Sequence, residues 1–232
     1  SPPTWLAPLA LLVALVGSVT RFTTTSALWL DEALSVNIAT LPLGDIGEAL
    51  RHDGHPPLYY LLLHLWTEVV GTGDVAVRSL SGVLAVVTIP VAWVVGRRAG
   101  DATLGWLTVL VLGALPFATR YGSEARMYAL VMLLVFLGWL AVQRALETPR
   151  LGRLALVALV SGALLLTHYW AFYLIGATGL VLLVSWWRAT GEARTARLRV
   201  TLAVAAGGVL FLPWLPSFLE QARSTGTPWA EP

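Results

Sequence analysis

A chain that is 57% hydrophobic and only 12% charged has few side chains able to do ionic chemistry. Eight stand out because each lies at or beside an apolar run, where charge is costly unless it has a use: Asp31, Glu32, His55, Arg78, Arg120, Glu124, Arg126 and His168. Asp31 and Glu32 follow Leu28-Trp29-Leu30 and open a helix, a place where an acid is also favoured by the helix dipole alone. Neighbouring residues on a helix face different ways, so the pair makes a poor two-armed metal clamp. One carboxylate is expected to act as a general base, Asp31 by preference, while the other orients or caps. His55-Pro56-Pro57 sets an imidazole before a rigid turn, suited either to a lipid phosphate or to a structural hydrogen bond. Arg120 and Glu124 have the spacing of an ion pair that ties two helix ends together, which leaves Arg126 to hold an anion. His168, within Thr167-His168-Tyr169-Trp170, stays open between metal ligand, phosphate contact and interface hydrogen bonding.

The elements that must position these groups are membrane helices. Mean hydropathy is +0.74, a balance that a water-soluble core cannot hide. A crossing takes roughly 20 apolar residues, and seven stretches approach this: 5–20, 75–95, 103–119, 126–143, 154–167, 169–187 and 200–218. An eighth apolar run, 58–70, carries His64 and Glu68 on one face and, being shorter than the others, is ambiguous between crossing and lying in the interface. Nine arginines fall in three linkers, Arg97 with Arg98, Arg144 with Arg150 and Arg153, and Arg188 with Arg194, Arg197 and Arg199. The positive-inside rule puts them all in the cytoplasm if 58–70 lies in the interface. The first outer loop, 21–74, then carries amphipathic surface helices, one bearing Leu30, Leu34 and Ile38, the next Ile46, Ala49 and Leu50. Asp45 and Glu48 read as a capping box, with Arg51 on a solvated face, and Arg188 to Arg199 as a polar cytoplasmic loop. The expectation is an all-α integral membrane protein, one module over 1–232 that forms the N-terminal part of something longer. Cysteine and lysine are absent. Thiolate chemistry is therefore excluded, and a net charge of +2 gives no reason to expect nucleic acid.

Five segments in this order resemble the GT-C membrane glycosyltransferases, in the branch of the protein O-mannosyltransferases and lipid A aminoarabinose transferases. They are Trp29-Leu30-Asp31-Glu32-Ala33, His55-Pro56-Pro57-Leu58-Tyr59-Tyr60, Arg78-Ser79-Leu80-Ser81-Gly82, Tyr121 through Tyr128, and Thr167-His168-Tyr169. The resemblance implies a seven-helix module with surface helices in its first outer loop. It makes Asp31 the catalytic base and Glu32 the second acid, and it sets His55 near a donor phosphate; Arg126 and Arg120 are expected beside it as phosphate-binding cations. Glu124, Tyr128, His168 and Tyr60 support the site. Gly54 stands where aminoarabinose transferases carry an acidic metal contact, so no cofactor is certain; a divalent metal stays open through His168.

A polyprenyl phosphate leaves as a stabilised anion, so one carboxylate to deprotonate an acceptor hydroxyl and fixed cations for the phosphate suffice. The expected partners are a polyprenyl-phosphate sugar, membrane lipid and a glycan, lipid or protein acceptor, at the extracytoplasmic face of a bacterial plasma membrane. A lipid-linked sugar flippase or transporter is the rival, but it calls for ionisable groups at mid-span, where this chain is almost purely apolar. A noncatalytic GT-C-like subunit calls for a damaged acidic pair, and Asp31-Glu32 is intact.

Overall fold

The computed structural model describes residues 2–23 and 26–224; Ser1, Thr24 and Thr25 of the first loop, and residues 225–232 lie outside the described residues. The regular elements are α1 (Leu6–Phe22), α2 (Leu30–Ala39), α3 (Leu43–Asp53), α4 (Leu58–Val70), α5 (Asp74–Ala99), α6 (Ala102–Ala114), α7 (Pro116–Tyr121), α8 (Tyr128–Glu147), α9 (Leu151–Leu165), α10 (Ala171–Trp187) and α11 (Gly191–Phe211). A 3₁₀ turn, Leu212–Trp214, then leads into α12 (Leu215–Ser224). Two compact units result, Ser1–Thr40 with Leu62–Leu140, and Leu41–Leu61 with Ala141–Pro232.

In the first unit α1 packs on α5 and α6. Ala10, Ala14 and Val109 form one core patch, and Ala92, Leu112 and Ala118 a second. Lipid offers helices no hydrophobic drive to associate, so they hold together by close approach at small residues. A Cβ on Gly17 would lie 2.9 Å from the Gly113 carbonyl oxygen, and one on Gly96 2.7 Å from that of Leu104. Asp101 starts α6 by accepting from the Leu104 N–H at 3.0 Å.

In the second unit α11 packs on α9 and α10 around Ala141, Ala145, Val157, Leu182, Val200 and Val204. Here Gly162 meets Gly207, and a Cβ on Gly207 would fall 2.5 Å from the Ser161 Cβ.

The outward faces fit a bilayer and not water. Leu11, Leu12, Leu15 and Val16 on α1, and Leu180 and Val181 on α10, are more than half exposed. Among the described residues α5, α8 and the stretch Gly191–Arg223 are long and apolar enough to cross a membrane, and Leu6–Phe22, Leu58–Val70, Ala102–Ala114, Leu151–Leu165 and Ala171–Trp187 are shorter apolar helices. The chain is an all-α integral membrane protein.

Several local expectations are corrected. The stretch 103–119 is not one helix: Pro116 forces Leu115 out of the helical region (ψ 114°), so α6 stops and α7 restarts. Helix α11 begins at Gly191, so most of the expected polar loop forms its first turns. Its arginine-rich start is tolerated because long side chains carry their charge to the surface, as Arg194 does over the Trp186 ring, 5.0 Å from its centroid. Asp45 and Glu48 form no capping box. Helix α3 starts at Leu43 after Pro42 with no side-chain cap, and Glu48 instead pairs with Arg51 at 2.9 Å on the surface.

Candidate active site

In the first unit the two adjacent acids have different surroundings. Glu32 is the third residue of α2 and is completely buried. Its carboxylate accepts from Arg78 Nε (2.8 Å) and Nη2 (2.6 Å), from the Ala125 N–H (2.8 Å) and from the Trp29 N–H (3.2 Å). Burial alone would raise the Glu32 pKa. The bonds from Arg78, Ala125 and Trp29, together with the Arg78 charge, outweigh that and hold the carboxyl below the ordinary range. Arg78, at the start of α5, also donates to the carbonyls of Ser26 (2.7 Å) and Ala27 (3.2 Å). One buried ion pair thus ties together the approach to α2, α5 and the irregular segment between α7 and α8.

Asp31 points elsewhere. Its side chain is 42% exposed, and its Oδ2 lies 3.9 Å from Arg126 Nη2, too far for a direct hydrogen bond. Arg126 is buried and donates through Nη1 to Ser35 Oγ (3.0 Å) and, at 3.4 Å, to the Asp31 carbonyl. Its own carbonyl accepts from Ser81 Oγ at 3.1 Å. Arg126 is therefore held in place on the Asp31 side of α2. Arg120 is the most exposed of these cations, with its Nε bonded to Glu124 Oε1 at 2.9 Å. The Tyr128 ring packs against Tyr121 at a tilt of 57°, with centroids 4.3 Å apart. Asp31, Glu32, Arg78, Glu124 and Arg126 therefore form one polar cluster, with Arg120 at its edge.

The second unit gathers the histidines. Helix α3 ends at Gly54, whose φ of 83° suits glycine and turns the chain into His55-Pro56-Pro57. His55 Nδ1 lies 3.0 Å from Asp53 Oδ2, and the same oxygen accepts from the Tyr60 hydroxyl at 2.5 Å. A carboxylate only accepts, so Nδ1 carries the proton. His168 lies beside it with ring centroids 6.4 Å apart. The Leu58 N–H donates to the Leu166 carbonyl at 2.9 Å, which joins this turn to the end of α9. His168 Nδ1 accepts the Trp170 N–H at 3.2 Å, so its Nε2 carries the proton of the neutral ring. That makes His168 a hydrogen-bond donor in this arrangement and a poor metal ligand. No group of three His, Cys, Asp or Glu able to hold a metal occurs among the described residues.

Sequence reading overlooked Ser35, Asp53 and Gln221. Ser35 sits one turn after Asp31, and Asp53 precedes His55 by two, spacings that carry a signal. Gln221 has none: its side-chain amide reaches the Leu50 carbonyl (2.5 Å) and bonds the Tyr169 hydroxyl, contacts that only the fold creates.

The family model for dolichyl-phosphate-mannose-protein mannosyltransferase matches residues 54–216, more than half of the chain. No curated protein matches the sequence. Among solved structures, the S. cerevisiae protein O-mannosyltransferase Pmt1–Pmt2 complex bound to the sugar donor is similar, with a TM-score of 0.64 at 16% identity. The similarity covers 93% of this chain and 34% of that one, so the chain spans about a third of its length. The fold match and the family match agree, and the chain belongs to the dolichyl-phosphate-mannose-protein mannosyltransferase family within the GT-C superfamily.

Proposed function

We propose that the chain is the catalytic membrane module of an inverting glycosyltransferase. It moves mannose or a related sugar from a polyprenyl-phosphate donor to an acceptor hydroxyl at the extracytoplasmic face of a bacterial plasma membrane. The observation that carries this reading is the unequal state of the two acids. Glu32 has four donors on its carboxylate, whereas Asp31 is half-exposed and holds no short ion pair among the described residues.

Asp31 accepts the proton of the acceptor hydroxyl as that oxygen attacks the anomeric carbon. The bond from the anomeric carbon to the phosphate oxygen breaks on the opposite face, and polyprenyl phosphate departs as an anion. Its charge is a stabilised one, so a second carboxylate to protonate the leaving group is unnecessary, in contrast to glycoside hydrolysis. Arg126 and Arg120 supply positive charge to the leaving phosphate. Glu32 orients α2 through Arg78. Glu124 holds Arg120, Tyr60 and Tyr128 brace His55 and the segment after Arg126, and His168 donates from Nε2.

The test is transfer from radiolabelled polyprenyl-phosphate sugars by the full-length protein in nanodiscs. Asp31→Asn is expected to slow transfer by about 10²–10⁴-fold while donor binding persists. Transfer unaffected by the variant would reject Asp31 as base. A product that retains the donor's anomeric configuration would reject direct displacement, and donor movement across the membrane without transfer would make the chain a flippase.

A further inference from the structure

Gln221 lies on α12, which packs on α3, and the proposed chemistry does not use it. It is 2% exposed, a setting in which a primary amide needs partners for both of its ends. Its Nε2 donates to the Leu50 carbonyl at 2.5 Å and, over a longer 3.4 Å, to the carbonyl of His55. Leu50 is among the last four residues of α3, whose carbonyls find no partner within their own helix. Carbonyls only accept, so the orientation of the amide is fixed. Its Oε1 faces the other way and accepts from the Tyr169 hydroxyl, which itself accepts from Trp214 Nε1 at 3.0 Å.

A row of hydrogen bonds therefore runs in one direction from Trp214 through Tyr169 and Gln221 to the end of α3, an arrangement in which each bond polarises the next. The row joins the two turns that carry the histidines. Tyr169 follows His168 in the chain, and its ring is wedged against Phe218, with centroids 4.9 Å apart, and beside Phe211 at 6.4 Å. At the other end, the amide grips α3 and the backbone of His55 itself. One side chain thus ties both turns together where the His55 and His168 rings stand 6.4 Å apart.

We propose that Gln221 is a positioning residue for donor binding: it fixes the His55 turn against the His168 turn, so that the two imidazoles keep a set spacing beside the donor phosphate. Being buried, it acts through the backbone of one turn and the tyrosine of the other and not on the donor. The inference rests on the reading that the chain transfers sugar from a polyprenyl-phosphate donor with His55 near the phosphate. A role in stability alone would lower the melting temperature and leave the donor KM of the folded protein as it was.

The experiment measures initial rates of transfer against donor concentration for the full-length protein in nanodiscs, together with nitrogen NMR of labelled histidine without donor. Gln221→Met keeps the volume and removes the amide. It is expected to raise the donor KM about tenfold, the effect of losing a buried hydrogen bond, while kcat stays within about twofold, the pattern of a loss in binding. The His55 and His168 ring signals should move. Tyr169→Phe keeps the ring between Phe218 and Phe211 and deletes only the hydroxyl that orients the amide. It should change KM in the same direction by less, and it serves as the check if Gln221→Met does not fold. The inference is overturned if wild type transfers sugar and the variants keep its donor KM, if kcat falls while KM holds, or if the histidine signals stay in place. Wild type that transfers from no donor would remove the sugar-transfer reading as well, an outcome distinct from any difference between variants.

Discussion

Glu32 and Arg78 are a pair whose value lies in being complete. Each charge is buried, and removing one leaves the other without compensation, at a cost of about 3–5 kcal/mol. Arg78→Ala is therefore expected to lower thermal stability in detergent more than Arg120→Ala, because the Arg120 side chain is 69% exposed and its ion pair is partly screened by water. The pH dependence has a definite sign. The Glu32 carboxyl is depressed in the folded state, so its contribution is fully present above the unfolded carboxylate pKa of about 4.3 and is lost as pH falls through the lower folded value. Melting temperature should carry no Glu32 component between neutral pH and about pH 5, and Glu32→Gln should flatten the steep acid loss of wild type. At His55 the prediction concerns the proton's position. Asp53→Ala removes the acceptor at Nδ1, and nitrogen NMR of labelled histidine should show the neutral ring shifting toward the Nε2–H form. An unchanged tautomer would mean that Asp53 does not set it.

At the scale of helices, the glycines mark where packing is tightest. A Cβ on Gly207 would meet the Ala158 carbonyl at 2.8 Å and Gly162 N at 2.8 Å, both backbone atoms that cannot rotate away. Gly207→Ala should therefore force α9 and α11 apart and cost about 1–3 kcal/mol, visible as a lower unfolding temperature in the same detergent. Gly208→Ala is the matched control, because nothing lies within 4 Å of a Cβ built there. The variant on the packed glycine should melt lower and its neighbour should not. Equal melting would place the α9–α11 contact elsewhere.

For the whole molecule, orientation in the membrane is the property on which the chemistry depends. The chain has no cysteine, so single cysteines report sidedness without background. Glu48→Cys in α3 is expected to react with a membrane-impermeant maleimide added to intact cells. Arg194→Cys is expected to react only after permeabilisation. The reverse pattern would put Asp31 on the cytoplasmic side and make an extracytoplasmic acceptor untenable.

Membrane residence, an all-helical fold and the acid pair at the head of α2 were all legible in the sequence, because hydropathy, arginine placement and short motifs are local properties of a chain in a bilayer. The Arg120–Glu124 contact was legible for the same reason, its partners being close neighbours in sequence. Which of the two acids is committed was not. Glu32 takes its partners from Arg78, 46 residues on, and from the Ala125 amide, 93 residues on, and no local pattern encodes such pairings. The burial of Arg21 was equally hidden, since by sequence it is one more arginine at a helix end. Gly122, 101 residues on, is brought against it by packing, and Gly17 lies one turn earlier on α1. Tertiary structure decided these points because the energy of a charge depends on what surrounds it in three dimensions.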